Sequence, residues 1–576
     1  MSVAFLADKA QSKITKEDLQ DIAAKLNISI PDGPDADAYL LLLQSTEALM
    51  RQVEASADYI HPSLSPLPTT KPRVFWLPKP EENPLNAWRH CCELVAAQPS
   101  SSLLRGRTIV IKDNISVGGL PTTLGTFTDI LCNDGNLPLS PIDASVVSRV
   151  LDAGATIKGS STCENFCASP LSYSAATGPV HSPWMHGCTS GGSSSGSAAL
   201  VSANIVQRLT GQTFGPTVEL AIGGDQAGSV RMPAAYTGIY GLKPTFGLVP
   251  YTGAVGLVPM IDHLGPIAEN LDDIALLLQV MAGYDGIDPR MTPESPLRNQ
   301  VPNYSKQLYE FKSRSLTAGE RVGSSFRVGL LLESFDIPGL SAEVRDTVLQ
   351  AAKSFFAKAG ATVSEVSVPM HREGIIIWTA ATRMSTSDFA CQGKPGGALS
   401  FLPPHIRVQW PPDQHMYELL TATNPSLVNI MFTGPFLNQH FGPVSEAKAH
   451  RKVFELRAAY DRALEEFDVL VTPCNPTVSM PHPKMKPDDQ GPASSIMDKL
   501  HVAVGVTTNT APFNATGHPA MSIPCGFGQG PGSPEAKLPI GMQVIAKRWE
   551  EFTILKAAAI FEEGRHLAET VCTERQ

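Results

Sequence analysis

A repeated change of hydrophobic period narrows the folds open to this chain more than any other feature. Short β-branched runs alternate with helical stretches: 108-TIVIK-112, a helix over 143–153 stopped at Gly154, then 155-ATIKG-159. The scheme returns as 326-FRVGLLLE-333, a helix over 342–358 and 361-ATVSEVSV-368, and again as a helix ending near Glu466 followed by 468-DVLVTP-473. A two-residue period lays a strand on a sheet, and a 3.6-residue period supplies the apolar stripe that covers it. Units of this kind predict an α/β layered domain.

The first seventy residues follow a different pattern. In 16-KEDLQDIAAKL-26, Leu19, Ile22, Ala23 and Leu26 share one helical face, and Thr15 with Asp18 predicts an N-terminal cap. A second helix, DAYLLLLQSTEALMRQVEA, follows the Pro-Asp-Gly-Pro break at 31–34, and a proline-rich stretch over 62–84 comes next. The expected boundary lies near residue 70, separating a helical extension (1–70) from the α/β domain (71–576). The segment 285–325, rich in proline, is expected to be a long surface excursion.

Charge and cysteine usage exclude several functions. The net charge is −10 and no run of five Lys or Arg occurs, so nothing is present to neutralise a phosphate backbone, and no nucleic-acid partner is expected. Charge appears early in MSVAFLADKAQSKITKEDL, and no apolar run reaches the ~18 residues of a membrane span, so neither a secretory signal nor a membrane partner is expected. Ten cysteines are scattered without a dense framework, which fits reduced thiols in a cytoplasmic protein.

The segment 187-GCTSGGSSSGSAAL-200 admits three readings. As a flexible linker it would join independent parts, yet it runs directly into the apolar, Ala-rich SAALVSANIV, a helix whose N–H groups would open the loop. As G-x-S-x-G it would be a nucleophile elbow with Ser194 at its apex, but an elbow follows a buried strand and 181-HSPWMHGCTS-190 has no β-branched run. The third reading links it to Lys112, which closes the strand 108–112, and to 223-GGDQAGSVRMPAAYTGIYGLKPT-245 downstream.

Those three segments together resemble the amidase signature family. The resemblance rests on 109-IVIKDNI-115, the first serine of 191-GGSSSGS-197 and the serine of 225-DQAGSVRMPA-234, and it continues through 244-PTFGLVPYTG-253, 262-DHLGPIA-268, 509-NTAPFNATGHPAMSIPCG-526 and 539-PIGMQVIA-546. The pieces 163-CENFC-167, GGSSSGS and TFGLVPYTG are most similar to amidases of the nitrile-hydratase-associated type, a subgroup that also carries an N-terminal helical region. The fold implied is a large mixed β-sheet sandwiched between layers of helices.

The resemblance implies amide hydrolysis through an acyl-serine intermediate. Ser229 would be the nucleophile, Ser193 a bridging serine on a cis peptide, and Lys112 the base, a Ser–cisSer–Lys triad. Backbone N–H groups of Gln226, Ala227, Gly228 and Ser229 would form the oxyanion hole, with Gly191, Gly192, Asp225 and Arg231 holding the loops. No metal and no cofactor is implied. A lysine at its ordinary pKa of ~10.4 is protonated near neutrality, so a base at 112 has to be buried. Alternation along the strand sends Asp113 to the opposite face, which leaves Lys112 free of that carboxylate.

Three features depart from the family pattern. Ala227 stands where a glycine is usual, and Ser182-Pro183 replaces Asn-Pro. The separation between Ser193 and Ser229 is longer, and a loop insertion near 204–218 is expected to account for it. One competing motif, Cys163-x3-Cys167-x13-His181-x4-His186, nearly matches a zinc spacing, but Pro170, Pro179 and Pro183 break the region.

The expected substrate is a small carboxylic amide; a carbamate or aryl amide suits the same triad, and Trp378 and Phe432 are candidate pocket residues. The alternatives are an inactive scaffold of the same fold and a glutaminase-type amidotransferase subunit. The helical extension favours a stand-alone protein dimerising as a homodimer.

Overall fold

The computed structural model describes residues 12–131, 135–317, 321–487 and 492–573, without the side chains of 314–317 and 571–573. The chain divides into two compact units, Met1–Pro62 and Ser63–Gln576. In the first, helices Lys16–Lys25 and Pro34–Ala55 bury Leu19, Ala23 and Ala36. Thr15 and Asp18 form the reciprocal cap that their spacing predicts, with Thr15 N donating to Asp18 at 2.7 Å.

Twelve strands of the second unit form one mixed sheet among the described residues. They are β1 (Phe75–Trp76), β2 (Trp88–Leu94), β3 (Thr108–Lys112), β4 (Thr156–Ser161), β5 (Leu220–Asp225), β6 (Tyr240–Lys243), β7 (His263–Ala268), β8 (Arg327–Leu331), β9 (Thr362–Val366), β10 (Val469–Pro473), β11 (Ala520–Gly530) and β12 (Ser533–Ile545). Their order is β1-β2-β4-β3-β5-β7-β6-β11-β12-β10-β8-β9. The strands flanked by helical crossovers pair in parallel, β4-β3-β5 in one half and β10-β8-β9 in the other. Antiparallel β7, β6, β11 and β12 join the halves.

Strand β3 shows why helices cover both faces. Ile109 and Ile111 pack into one apolar core with Val146, Val147 and Val150 of the Ser145–Asp152 helix. Val110, pointing the other way, packs with Ala198, Ala199 and Val201 of the Ser195–Thr210 helix. The next residue on Val110's face is Lys112, so strand parity aims it at the loop that opens that helix.

Two sequence-based expectations change. The segment 285–325 contains the helix Tyr304–Thr317, whose Tyr304 and Leu308 are buried in the main core with Phe311 packed against it. These positions recur at helical spacing, so the helix is docked on the core, whereas 291–300 before it lies largely exposed, as an excursion would. The stretch 204–218, expected to be a loop, is partly helical: the Ser195–Thr210 helix runs through 204–210 and stops at Gly211, where φ is +72°.

Candidate active site

The Lys112 side chain is fully buried, and its Nζ donates to Ser193 Oγ at 2.8 Å and to the Gly224 carbonyl at 3.3 Å. Asp113 points to the other face, accepts from Thr123 N at 3.2 Å and faces Arg89 at 4.0 Å. Burial pushes the Asp113 carboxyl up to about 6 despite the nearby arginine. No carboxylate is ion-paired with Lys112 among the described residues.

The Gly/Ser segment is a turn that delivers Ser193 to this lysine. Gly191 has φ +80°, and a side chain there would meet the Pro233 backbone at 2.8 Å. The Gly192–Ser193 peptide is cis. Glu164, from the CENFC motif, braces the turn: it accepts from Ser195 Oγ at 2.8 Å and from Ser174 N and Oγ at 2.7 Å. Glu164 N also donates to the Ser193 carbonyl at 3.3 Å. Burial pushes the Glu164 carboxyl up to about 7, against the pull of those donors and of Lys112. Ser194, the elbow candidate, is fully buried and tied to Gly224, donating to its carbonyl at 3.1 Å and accepting from its N–H at 3.3 Å. Residues 182–190 form no strand, so the support that an elbow needs is absent.

Strand β5 leads into the second serine loop. The Asp225 side chain accepts from Gly228 N at 2.7 Å, Val230 N at 3.1 Å and Arg231 Nε at 3.0 Å. Arg231 in turn donates to Thr510 O at 3.0 Å, Gln543 Oε1 at 2.5 Å and Asn514 Oδ1 at 2.6 Å. Burial opposes ionisation of Asp225, but Arg231, Asn514 and Lys243 outweigh it and hold the carboxyl well below the usual range. Ser229 O accepts from Ser194 N at 3.3 Å, which stitches the two serine loops together.

The four expected oxyanion donors are not equivalent. The Gly228 N–H is committed to Asp225, whereas those of Gln226, Ala227 and Ser229 have no acceptor among the described residues. Gly228 also takes the positive φ of the loop, +128°, so Ala227 fits in ordinary backbone geometry.

Ser229 opens onto a cavity of about 260 Å³, with Gln226, Ala227 and Met232 along the loop wall. Trp378 and Arg383 reach it from the helix Gly374–Thr386, and Ser426 and Asn429 from Pro425–His440. Trp378 lines the cavity as expected, its Nε1 donating to Gln226 O at 3.2 Å. Phe432 does not; its side chain lies at the surface, 64 % exposed. Sequence reasoning missed Arg383, although a lone cation inside 374-GIIIWTAATRMST-386 was the available signal.

The zinc-like spacing does not assemble. Cys163 is buried and Cys167 lines the cavity, whereas the rings of His181 and His186 stack at 3.9 Å beside His482. Among the described residues no group of three or more His, Cys, Asp or Glu side chains is arranged to hold a metal ion.

Comparison with known proteins identifies the family. The profile of the amidase family matches residues 87–555. An enantioselective amidase of Rhodococcus rhodochrous is 34 % identical over 501 residues, covering 85 % of this chain and 86 % of that protein. A glutamyl-tRNA(Gln) amidotransferase subunit of Prochlorococcus marinus is 30 % identical over 486 residues, covering 82 % and 87 %. The solved structure of a bacterial aryl acylamidase of the amidase signature enzymes shares the fold, with a TM-score of 0.58, 19 % identity and coverage of 81 % and 84 %. With its mixed sheet, its helical layers and its family match across most of its length, this chain belongs to the amidase family.

Proposed function

We propose that this amidase hydrolyses a carboxylic amide to the acid and ammonia through an acyl-enzyme on Ser229, with Ser193 as proton relay and Lys112 as base. Lys112 takes the Ser193 proton as Ser193 takes that of Ser229, whose oxygen attacks the carbonyl carbon. The N–H groups of Gln226, Ala227 and Ser229 stabilise the negative oxygen of the tetrahedral intermediate. The proton returns through Ser193 to the leaving nitrogen, the C–N bond breaks, and water attacks the ester by the same relay in reverse. Carbamates and aryl amides would pass through the same steps.

The observation that carries this reading is the 2.8 Å contact between a fully buried lysine and Ser193, one loop away from a serine that opens on a cavity. Ammonia release from simple aliphatic and aromatic amides tests it. Ser229→Ala is expected to lower kcat by about 10³-fold or more, and turnover near the wild-type rate would refute the assignment.

The proposed assembly is a stand-alone homodimer joined through the N-terminal helices, whose exposed Ile22, Leu42, Met50 and Val53 supply apolar surface. A cytoplasmic setting is part of the proposal. It is supported by the free thiols of Cys91, Cys92, Cys163, Cys167, Cys188, Cys391, Cys474 and Cys525. Among the described residues no helix is long and apolar enough to cross a membrane.

A further inference from the structure

Arg383 is a cation facing the cavity that Ser229 opens onto, and no described residue neutralises it. No carboxylate pairs with its guanidinium among the described residues, and no acceptor takes a hydrogen bond from it. Two acids close to this helix, Asp388 just after it and Glu446 on the helix Gly442–Glu466 packed against it, are engaged elsewhere. Asp388 accepts from Gln392 and Lys394, both at 2.9 Å, and Glu446 accepts from Ser385 Oγ at 2.8 Å. Cys391 supplies no counter-charge either, because burial pushes its thiol up to about 12.

An arginine keeps its charge under all ordinary conditions, and its planar fork matches a carboxylate. Burying such a charge unpaired is unfavourable, so a site that retains one is suited to a partner arriving from outside. Burial indeed lowers the Arg383 pKa from its ordinary value, as expected for a charge withdrawn from water without compensation. The surrounding lining suits a polar ligand end: Thr382 and Thr386 lie on the same face of the helix, and Ser426 and Asn429 come from its neighbour. Gln226, Ala227 and Ser229 form the loop wall, where the amide would sit. One cavity therefore offers a reactive serine and an unpaired cation.

We propose that Arg383 is a specificity-determining residue that binds a carboxylate of the substrate, so that the preferred substrates are amides carrying an anionic group. This rests on Ser229 as the nucleophile of the same cavity. The carboxylate belongs either to the acyl portion, as in a half-amide of a dicarboxylic acid, or to the leaving amine, as in an N-acyl amino acid.

Two matched pairs separate these sources: glutaramate against pentanamide, and N-acetylglycine against N-ethylacetamide. In the wild type, kcat/KM for the charged member of one pair is expected to exceed that of its neutral partner by about tenfold or more. In Arg383→Gln the ratio falls close to one, and in Arg383→Lys part of it remains. A wild-type ratio at or below one in both pairs, or a ratio that Arg383→Gln leaves unchanged, overturns the proposal.

A binding arm keeps the two readings apart. Glutarate binding to Ser229→Ala protein, followed by calorimetry, is expected to weaken about tenfold or more when Arg383→Gln is added. If no amide turns over but glutarate binding still depends on Arg383, carboxylate recognition stands and the Ser229 reading falls. If neutral amides turn over without charge preference, the reverse holds. Stability gives a further check: Arg383→Met removes an unpaired, half-buried charge and should raise Tm, whereas a fall would mean that the arginine braces the fold and would overturn the proposal.

Discussion

Lys112 Nζ donates to Ser193 Oγ at 2.8 Å, although the two residues lie on separate elements, the end of β3 and the turn before the Ser195–Thr210 helix. This contact follows from strand parity. Val110 and Lys112 share a face, and Val110 packs on the helix that Ser193 precedes. If Lys112 is the base, Lys112→Met should lower kcat by about 10²–10⁴-fold while the far-ultraviolet circular dichroism stays unchanged. Lys112→Arg should fail to restore activity, because a guanidinium cannot give up its proton to act as a base. Ammonia release by both variants measures this, and near-normal turnover in either would exclude a proton-accepting role.

The buried pair Asp225–Arg231 sets the shape of the second serine loop. Asp225→Asn leaves the Arg231 charge without its counter-ion and should cost about 3–5 kcal/mol in denaturant unfolding. The Asp225 carboxyl is held below its ordinary value, so its contribution is present above the unfolded carboxylate pKa of ~3.9 and disappears as pH falls through the lower folded value. The stability gap between wild type and variant should therefore be wide near neutrality and close in strong acid. A gap that ignores pH would contradict the assignment.

Much of this arrangement was legible in the sequence because it depends on local periodicity. The strand 108–112, the helix after the Gly/Ser turn and the opposed directions of Lys112 and Asp113 all follow from it. Features set by tertiary packing were not legible. Phe432 was expected in the pocket, but on the Pro425–His440 helix Ser426, Asn429 and Ile430 share the cavity face at three- and four-residue spacing. Phe432 lies two residues beyond that stripe and turns outward. The engagement of the Gly228 N–H by Asp225 was equally hidden, since it depends on a side chain folding back over its own loop. Tyr304, Leu308 and Phe311 did carry a helical signal, which the prolines before them masked.

Gly228 tests the geometry of the oxyanion loop. Its φ is +128°, and an added Cβ would approach Thr510 Oγ1 at 2.4 Å. Gly228→Ala should cost about 1–3 kcal/mol of strain and displace the adjacent Ala227 and Ser229 N–H groups. The expected result is a kcat/KM at least about tenfold lower on any amide substrate. A variant with unchanged kcat/KM would show that this loop does not position the reacting carbonyl.

Glu164 braces the first serine turn from a fully buried position, and burial pushes its carboxyl up to about 7. An acid whose folded pKa is raised holds its proton in the native state where the unfolded chain, at ~4.3, has already lost it. Wild-type stability should therefore fall, relative to Glu164→Gln, as pH rises from about 4.3 through about 7. The expected loss is on the order of 3 kcal/mol, at 1.36 kcal/mol per pKa unit. Parallel urea titrations of both proteins at pH 4, 6 and 8 follow this difference. Parallel stability curves would mean that Glu164 titrates in the folded protein as it does in the unfolded chain.

The most direct measurement is the site of acylation. Rapid acid quenching during turnover of an aryl amide, followed by digestion and mass spectrometry, should find the acyl mass on the peptide containing Ser229 and on no other. The adduct should vanish in Ser229→Ala. An acyl group on Ser193 or Cys167, or continued turnover by the Ser229→Ala protein, would contradict the account.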